Sequence, residues 1–281
     1  MTTDPARVAA RIGHWLLVAA LIAGGLIMIF PLFWLFSTSF RPAPELLIVP
    51  PQLLPVKWTL ANYMTVFQKA PMLQYFWNSL VFATTSTLFI ILTSTAAGYI
   101  FGKFRFPGNG ALFALILATA IVPFEVYMVP LFLQMNSLKL VNTGIGLILP
   151  FLILSYGIFF MRQNTITSVP DELLDAARID GMSEWGIMFR LVPRLLAPAI
   201  SALAILAFIQ AWTAFIWPLL ILNEPKNFPM ELGLSQFANK LSVNFGVTSA
   251  GAVIAMLPSL AVFLLLRRRI VDGITLTGLK G

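Results

Sequence analysis

A chain of 281 residues with 59% hydrophobic and only 10% charged residues is not an ordinary soluble domain, where about 25% of residues carry charge; a soluble fold this apolar would aggregate through exposed patches. The net charge of +7 sits in short clusters between long apolar runs, which excludes a single basic nucleic-acid face and fits a membrane protein. No cysteine is present and His14 is the lone histidine, so no disulfide, no Cys or His metal set and no Ser–His or Cys–His catalytic pair exists.

About 20 apolar residues are needed to cross a bilayer as a helix. Six stretches qualify, at about 15–37, 76–101, 111–134, 144–161, 195–222 and 249–266. The first follows Arg7 and Arg11 and is too long for the apolar core of a signal peptide, so it is expected to be a retained helix, with His14 at headgroup level. The next segment, about 41–75, is rich in proline and is expected to be irregular with one short helix. No charge lies between Lys69 and Lys103, and Ala96, Ala97 and Gly98 in the second span suit close helix packing. The third span holds Glu125 between Pro123 and Pro130. A carboxylate there either lines a path for substrate or sits near the outer interface and helps close a gate. The prolines offer a helix break whose freed carbonyls would line a cavity. The segment near 135–143 is short.

The loop at about 163–194 reads QNTITSVPDELLDAARIDGMSEWGIMFRLVP from Gln163. Ser168 offers an N-cap, with Asp171 three residues on approximating a capping box, and Pro170 is tolerated at a helix start. Asp171 and Glu172 suit the first turn, Leu173, Leu174, Ala176, Ala177 and Ile179 continue the helix, and Gly181 ends it. A second helical piece is expected from Met182 to about Val192, with Pro193 and Pro198 turning the chain into the fifth span. A helix this acidic, with Asp171, Glu172, Asp175 and Asp180, suits a groove in a protein partner better than a lipid surface, where helices are usually basic.

In the fifth span, uncharged from Arg194 to Glu224, Trp212 and Trp217 are candidates for stacking a sugar ring, as is Tyr127 in the third. Lipid contact or interfacial anchoring is the commoner role for such aromatics. The segment at about 223–248 is polar enough to face solvent. The sixth span ends at Arg267, Arg268 and Arg269. With both termini placed inside, twelve basic residues face inward (Arg7, Arg11, Lys103, Arg105, Arg162, Arg178, Arg190, Arg194, Arg267, Arg268, Arg269, Lys280) and six outward (Arg41, Lys57, Lys69, Lys139, Lys226, Lys240). That asymmetry predicts cytoplasmic termini.

The stretch DELLDAARIDGMSEWGIMFRLVPRLLAP resembles the EAA loop of binding-protein-dependent ABC importer permeases: Glu-Ala-Ala, three residues, Gly, and a downstream Pro. It falls here as Asp175, Ala176, Ala177, Gly181 and Pro193, with an Asp one methylene shorter than the family's usual Glu. NSLVFA from Asn78, IVPFEVYMVPLF from Ile121, LVNTGIGLILP from Leu140, FIQAWTAFIWPL from Phe208 and the terminus GITLTGLKG resemble the carbohydrate branch of that family, which includes the smaller membrane subunit of the maltose importer. Where the family commonly has Trp-Asn-Asp-Phe, this chain has Trp212, Thr213, Ala214 and Phe215.

The resemblance implies an all-α integral membrane protein with the bundle of a type I ABC importer permease, six transmembrane helices and both termini cytoplasmic. The whole chain, 1–281, would form a single transmembrane domain in the cell inner membrane of a bacterium or archaeon. It implies as partners a second permease subunit, a pair of cytoplasmic ATP-binding subunits, an extracytoplasmic substrate-binding protein and the lipid bilayer, with no nucleic acid. ATP and Mg would be bound by the ATPase, since this chain has no P-loop; it would hold no cofactor or metal and would not itself be an enzyme. Coupling to the ATPase would fall on Glu172, Asp175, Ala176, Ala177, Asp180, Gly181 and Pro193, and the C-terminal tail would reach the same partner. Glu125, Tyr127, Gln210, Trp212 and Thr213 are the substrate-path candidates. The expected cargo is a sugar or related carbohydrate, with glycerol phosphate or a polyol as the alternative. A stand-alone secondary transporter would need several intramembrane acids or paired broken helices, and the sequence has one such acid and no detectable repeat.

Overall fold

The computed structural model describes residues 5–50, 52–240 and 244–278, and every regular element among them is helical. In chain order these are α1 (Pro5–Ser39), α2 (Ala61–Lys69), α3 (Met72–Lys103), α4 (Asn109–Ile121), α5 (Phe124–Ser137), α6 (Gly144–Ile148), α7 (Ser155–Ser168), α8 (Asp171–Ile179), α9 (Glu184–Gly186), α10 (Val192–Leu195), α11 (Ala197–Trp212), α12 (Ile216–Ile221), α13 (Met230–Lys240) and α14 (Phe245–Gly278). The side chains of Arg7, Arg11, Lys240, Arg267–Arg269 and the GITLTGLKG tail, and the whole of Lys280, lie outside what the structure describes.

Three helices are long and apolar enough to cross a membrane: α1 over Gly13–Ser39, α3, and α14 over Phe245–Leu266. Among the described residues, three further helix pairs are apolar enough but bent. α4 meets α5 at 99°, 144–151 meets α7 at 41°, and Glu184–Leu195 meets α11 at 83°. The span at 111–134 is thus broken, at the first of the two prolines that offered a break. Pro123 has no N–H to donate and holds Val122 in extended backbone, φ −76°, ψ 116°, as proline does to the residue before it. The stretch 195–222 is likewise interrupted: α11 stops at Trp212 and α12 begins at Ile216.

Two compact units organise the chain. The first comprises 1–70 and 237–254. Its Pro-rich segment is irregular apart from a 3-10 turn, Ala43–Leu47, and α2, as expected. Side-chain bonds hold it in place. Asn62 donates to the carbonyls of Ser39 (2.9 Å) and Arg41 (2.8 Å), and Glu45 accepts the N–H groups of Val56 and Lys57, both at 3.0 Å.

The second unit comprises 71–236 and 255–281. Here α3 is the central helix, packed along α7 and α11. Close approach needs small residues: a Cβ on Gly98 would lie 2.7 Å from Met161 Cβ and 2.8 Å from the backbone N of Arg162. Tyr99, Met161, Leu174, Ile187 and Leu203 form part of the resulting core. At the opposite end, Asn142 accepts with its side-chain oxygen from the N–H groups of Asn223 (3.1 Å) and Glu224 (3.2 Å), and Asn78 donates to the carbonyls of Lys226 (2.8 Å) and Phe228 (3.0 Å). Asn142 has φ 61°, a conformation asparagine tolerates better than most residues.

Candidate functional site

The loop after α7 folds differently from expectation at its start. α7 continues through Ser168, so Ser168 does not cap the next helix; Pro170 is the N-cap of α8, without a side-chain bond. Val169 is extended because proline follows it. The end of α8 follows the sequence. Asp180 is the C-cap and Gly181 has φ 81°. The N–H of Met182 reaches the Ala177 carbonyl (2.9 Å) and that of Gly181 the Arg178 carbonyl (3.0 Å), the paired bonds of a Schellman cap. Ser183 then caps α9, accepting from the N–H of Gly186 at 3.2 Å. A π-helical turn, Ile187–Leu191, joins α9 to α10, which holds half-buried Pro193.

Ionic contacts brace α8. Arg178 donates to Asp175 Oδ1 (2.7 Å) and to Glu184 Oε1 (2.6 Å), and the Tyr99 hydroxyl reaches Glu184 Oε2 (3.1 Å). Lys103, at the end of α3, donates to Asp171 at 2.7 Å. The Arg178 guanidinium beside Glu184 holds that carboxyl below its ordinary value, and Lys103 does the same for Asp171. Asp175 and Arg178 are readable from their i,i+3 spacing. Glu184 was missed because the chain reverses at Gly181, and nothing local announces which residue returns beside Arg178.

The inner face of α8, Leu174 and Ala177, is buried in the core. Of the candidates for close approach to a partner, Ala177 faces inward, whereas Ala176 and Gly181 lie on the surface. The outer face presents Glu172, Leu173, Asp180 and Ile179, the last 87% exposed. Beside it Trp185 and Phe189 stack on each other at 5.9 Å while both stay exposed. Exposed apolar groups beside free acids suit a groove in a protein partner.

This bracing predicts a pH dependence. Glu184 has its folded pKa lowered from 4.5, so its contribution is full above that value and is lost as pH falls through the lowered one. Hydrogen-exchange protection across 175–190, corrected for intrinsic rates, should hold from neutral pH down to that range and then drop. In Glu184→Gln the step should vanish.

The substrate-path candidates separate. Glu125 is exposed in the first turn of α5. Tyr127 and Gln210 are also exposed. Thr213 is the exposed C-cap of α11, its hydroxyl donating to the Ile209 carbonyl at 2.8 Å. Trp212 is only 1% exposed; it stacks on Phe208 and donates to the Ala255 carbonyl at 2.8 Å. Trp217 is also buried, donating to the carbonyls of Gly146 and Leu147 at 3.2 Å, edge-on to Phe124. Among the described residues no hydrogen bond joins Glu125, Tyr127, Gln210 and Thr213. What they share is position: Glu125 and Tyr127 follow the 122–123 break, and Gln210 and Thr213 lie just before and at the start of the 213–215 break. Unwound backbone at membrane depth is tolerated where it lines a cavity or is buried in protein.

Comparison with known proteins places these features in a family. A family model described as binding-protein-dependent transport system inner membrane component matches residues 94–274. The chain is 35% identical to the arabinooligosaccharides transport system permease protein of Halalkalibacterium halodurans, covering 95% of this chain and 96% of that one. It is 32% identical to the sulfoquinovosyl glycerol transport system permease protein of Agrobacterium fabrum, covering 95% and 93%. Its fold matches a chain from the crystal structure of a bacterial ABC transporter involved in the import of the acidic polysaccharide alginate, with a TM-score of 0.82, 20% identity, and coverage of 95% and 98%. The match runs from within α3 through the braced loop and the broken helices into α14, and the chain belongs to the family of binding-protein-dependent transport system inner membrane components.

Proposed function

We propose that this chain is the permease subunit of an ATP-driven importer, passing a carbohydrate from an extracytoplasmic binding protein to the cytoplasm. The observation that carries the coupling is α8: fixed from within by Leu174, Arg178 and Lys103, it leaves Glu172, Asp180, Leu173 and Ile179 without partners among the described residues. A rigid helix with an unoccupied mixed face suits docking in a cleft of a cytoplasmic ATPase, with Ala176 and Gly181 at closest approach. Closure of the ATPase pair would then move α8 and rock the bundle between inward and outward access. ATP and Mg belong to that partner, and this chain does no chemistry itself.

In this reading α1, α3, α14, the bent pairs α4–α5 and α6–α7, and α11 with α12 are six spans of one transmembrane domain in a bacterial inner membrane. Both termini are cytoplasmic, as the distribution of Lys and Arg favours. A second permease subunit completes the path. The cargo reading rests on the relatives, permeases named for arabinooligosaccharides and sulfoquinovosyl glycerol. Glycerol phosphate is the weaker alternative: a phosphate path wants Arg or Lys, whereas the ionisable group beside the 122–123 break is the carboxylate of Glu125.

Affinity purification from native membranes tests this. Recovery of a P-loop ATPase, a second multi-span subunit and a binding protein is the expected result. A chain recovered alone that moves solute without ATP would overturn it in favour of a secondary transporter.

A further inference from the structure

The unit formed by α1, α2 and the start of α14 holds a cavity of about 390 Å³ that the transport reading does not use. Pro31, Trp34, Leu35 and Thr38 of α1 line it, together with Arg41 and Glu45. Arg41 is 3% exposed, its guanidinium lying 4.8 Å from the Trp34 ring centre. Its Nη2 donates to Ser37 Oγ (3.1 Å) and to the Gln52 carbonyl. Its Nε and the hydroxyl of Thr38 are buried without a hydrogen-bond partner among the described residues. A buried guanidinium with an unused donor is costly until an acceptor completes it, and an anion does so most strongly. Glu45 does not supply that anion in the structure, since its carboxylate accepts the N–H groups of Val56 and Lys57.

We propose that this cavity binds the phosphate of a phospholipid headgroup, with Arg41 as the cation and Thr38 as a second donor. Arginine suits phosphate, and its face can rest on an aromatic ring at the same time. The surroundings favour a lipid over a free ion. None of the most apolar window of α1 is buried, and Pro31 and Leu35, which line the cavity, belong to that same helix. An acyl chain lying along α1 leads its headgroup to Arg41, at the point where the apolar helix ends. A free phosphate gains nothing from such a surface.

Native mass spectrometry of the purified complex tests the site. After exhaustive delipidation it is titrated with phosphatidylglycerol, phosphatidylethanolamine or a phosphate-free glycosyl diacylglycerol. Wild type is expected to retain the phospholipids and not the phosphate-free lipid. Arg41→Gln should lower phospholipid occupancy about tenfold, the worth of one hydrogen bond to a charged group, and Thr38→Val severalfold. Because Arg41 also ties down the following loop, Thr38→Val is the cleaner variant: it leaves the Ser37 and Gln52 contacts in place. Equal retention of phospholipid by wild type and both variants, or equal retention of the phosphate-free lipid, overturns the proposal. Displacement of lipid by millimolar inorganic phosphate overturns the lipid source and reassigns the site to a free anion.

Discussion

Gly98→Val is expected to cost the protein its α3–α7 packing and most of its folded yield in membranes. The reason is distance. Even a bare Cβ at this position falls 2.7 Å from Met161 Cβ and 2.8 Å from the Arg162 backbone N, so no flexible side-chain end can swing aside. Relief requires α3 and α7 to separate, and these helices hold Tyr99 and Met161 in the core beneath α8. Overpacking of this kind costs about 1–3 kcal/mol, and branched valine against backbone belongs at the upper end. Gly110→Ala is the control, because a Cβ there meets nothing within 4 Å and alanine favours a helix. Thermal unfolding of the purified protein should separate the two variants clearly. A Gly98→Val protein as stable as wild type would show that α3 and α7 do not pack as described.

Gly181→Val is expected to spare insertion and stop transport. A Cβ at Gly181 also meets nothing within 4 Å, so the penalty is purely one of backbone. With φ 81°, a residue other than glycine pays about 1–2 kcal/mol for the left-handed conformation, more when β-branched. The strain falls on the cap that ends α8 and returns Glu184 to Arg178. A penalty of that size lowers the ratio of correctly folded to misfolded loop roughly tenfold. ATP-driven uptake should fall by a similar factor at unchanged membrane levels, with hydrogen-exchange protection lost over 175–190. Gly181→Asn, which tolerates positive φ, should retain most of both. Normal uptake by the valine variant would remove α8 from the coupling role.

Much of this was legible in the chain. The apolar runs marked where most long helices lie, because backbone groups in an apolar segment must be satisfied within it. Gly181 marked the end of α8, because a left-handed residue is a local matter of φ. The acidic first turn, Asp171 and Glu172, lies where it was expected. Hydropathy, however, sums over a window and carries no direction. It could not turn α4 from α5 by 99°, although Pro123 hinted at it. Nor could it tell inside from outside on helices apolar all round, where Trp212 and Trp217 are buried.

The sequence by itself determined the helical class, the family and the stop at Gly181, since each depends on residues close together in the chain. Tertiary structure alone decided what crosses from one helix to another. It set Gly98 against Met161, Tyr99 beside Glu184, and the Trp212 indole on the Ala255 carbonyl. These partners lie tens of residues apart, and helix packing fixes which side chains meet, which no local period records.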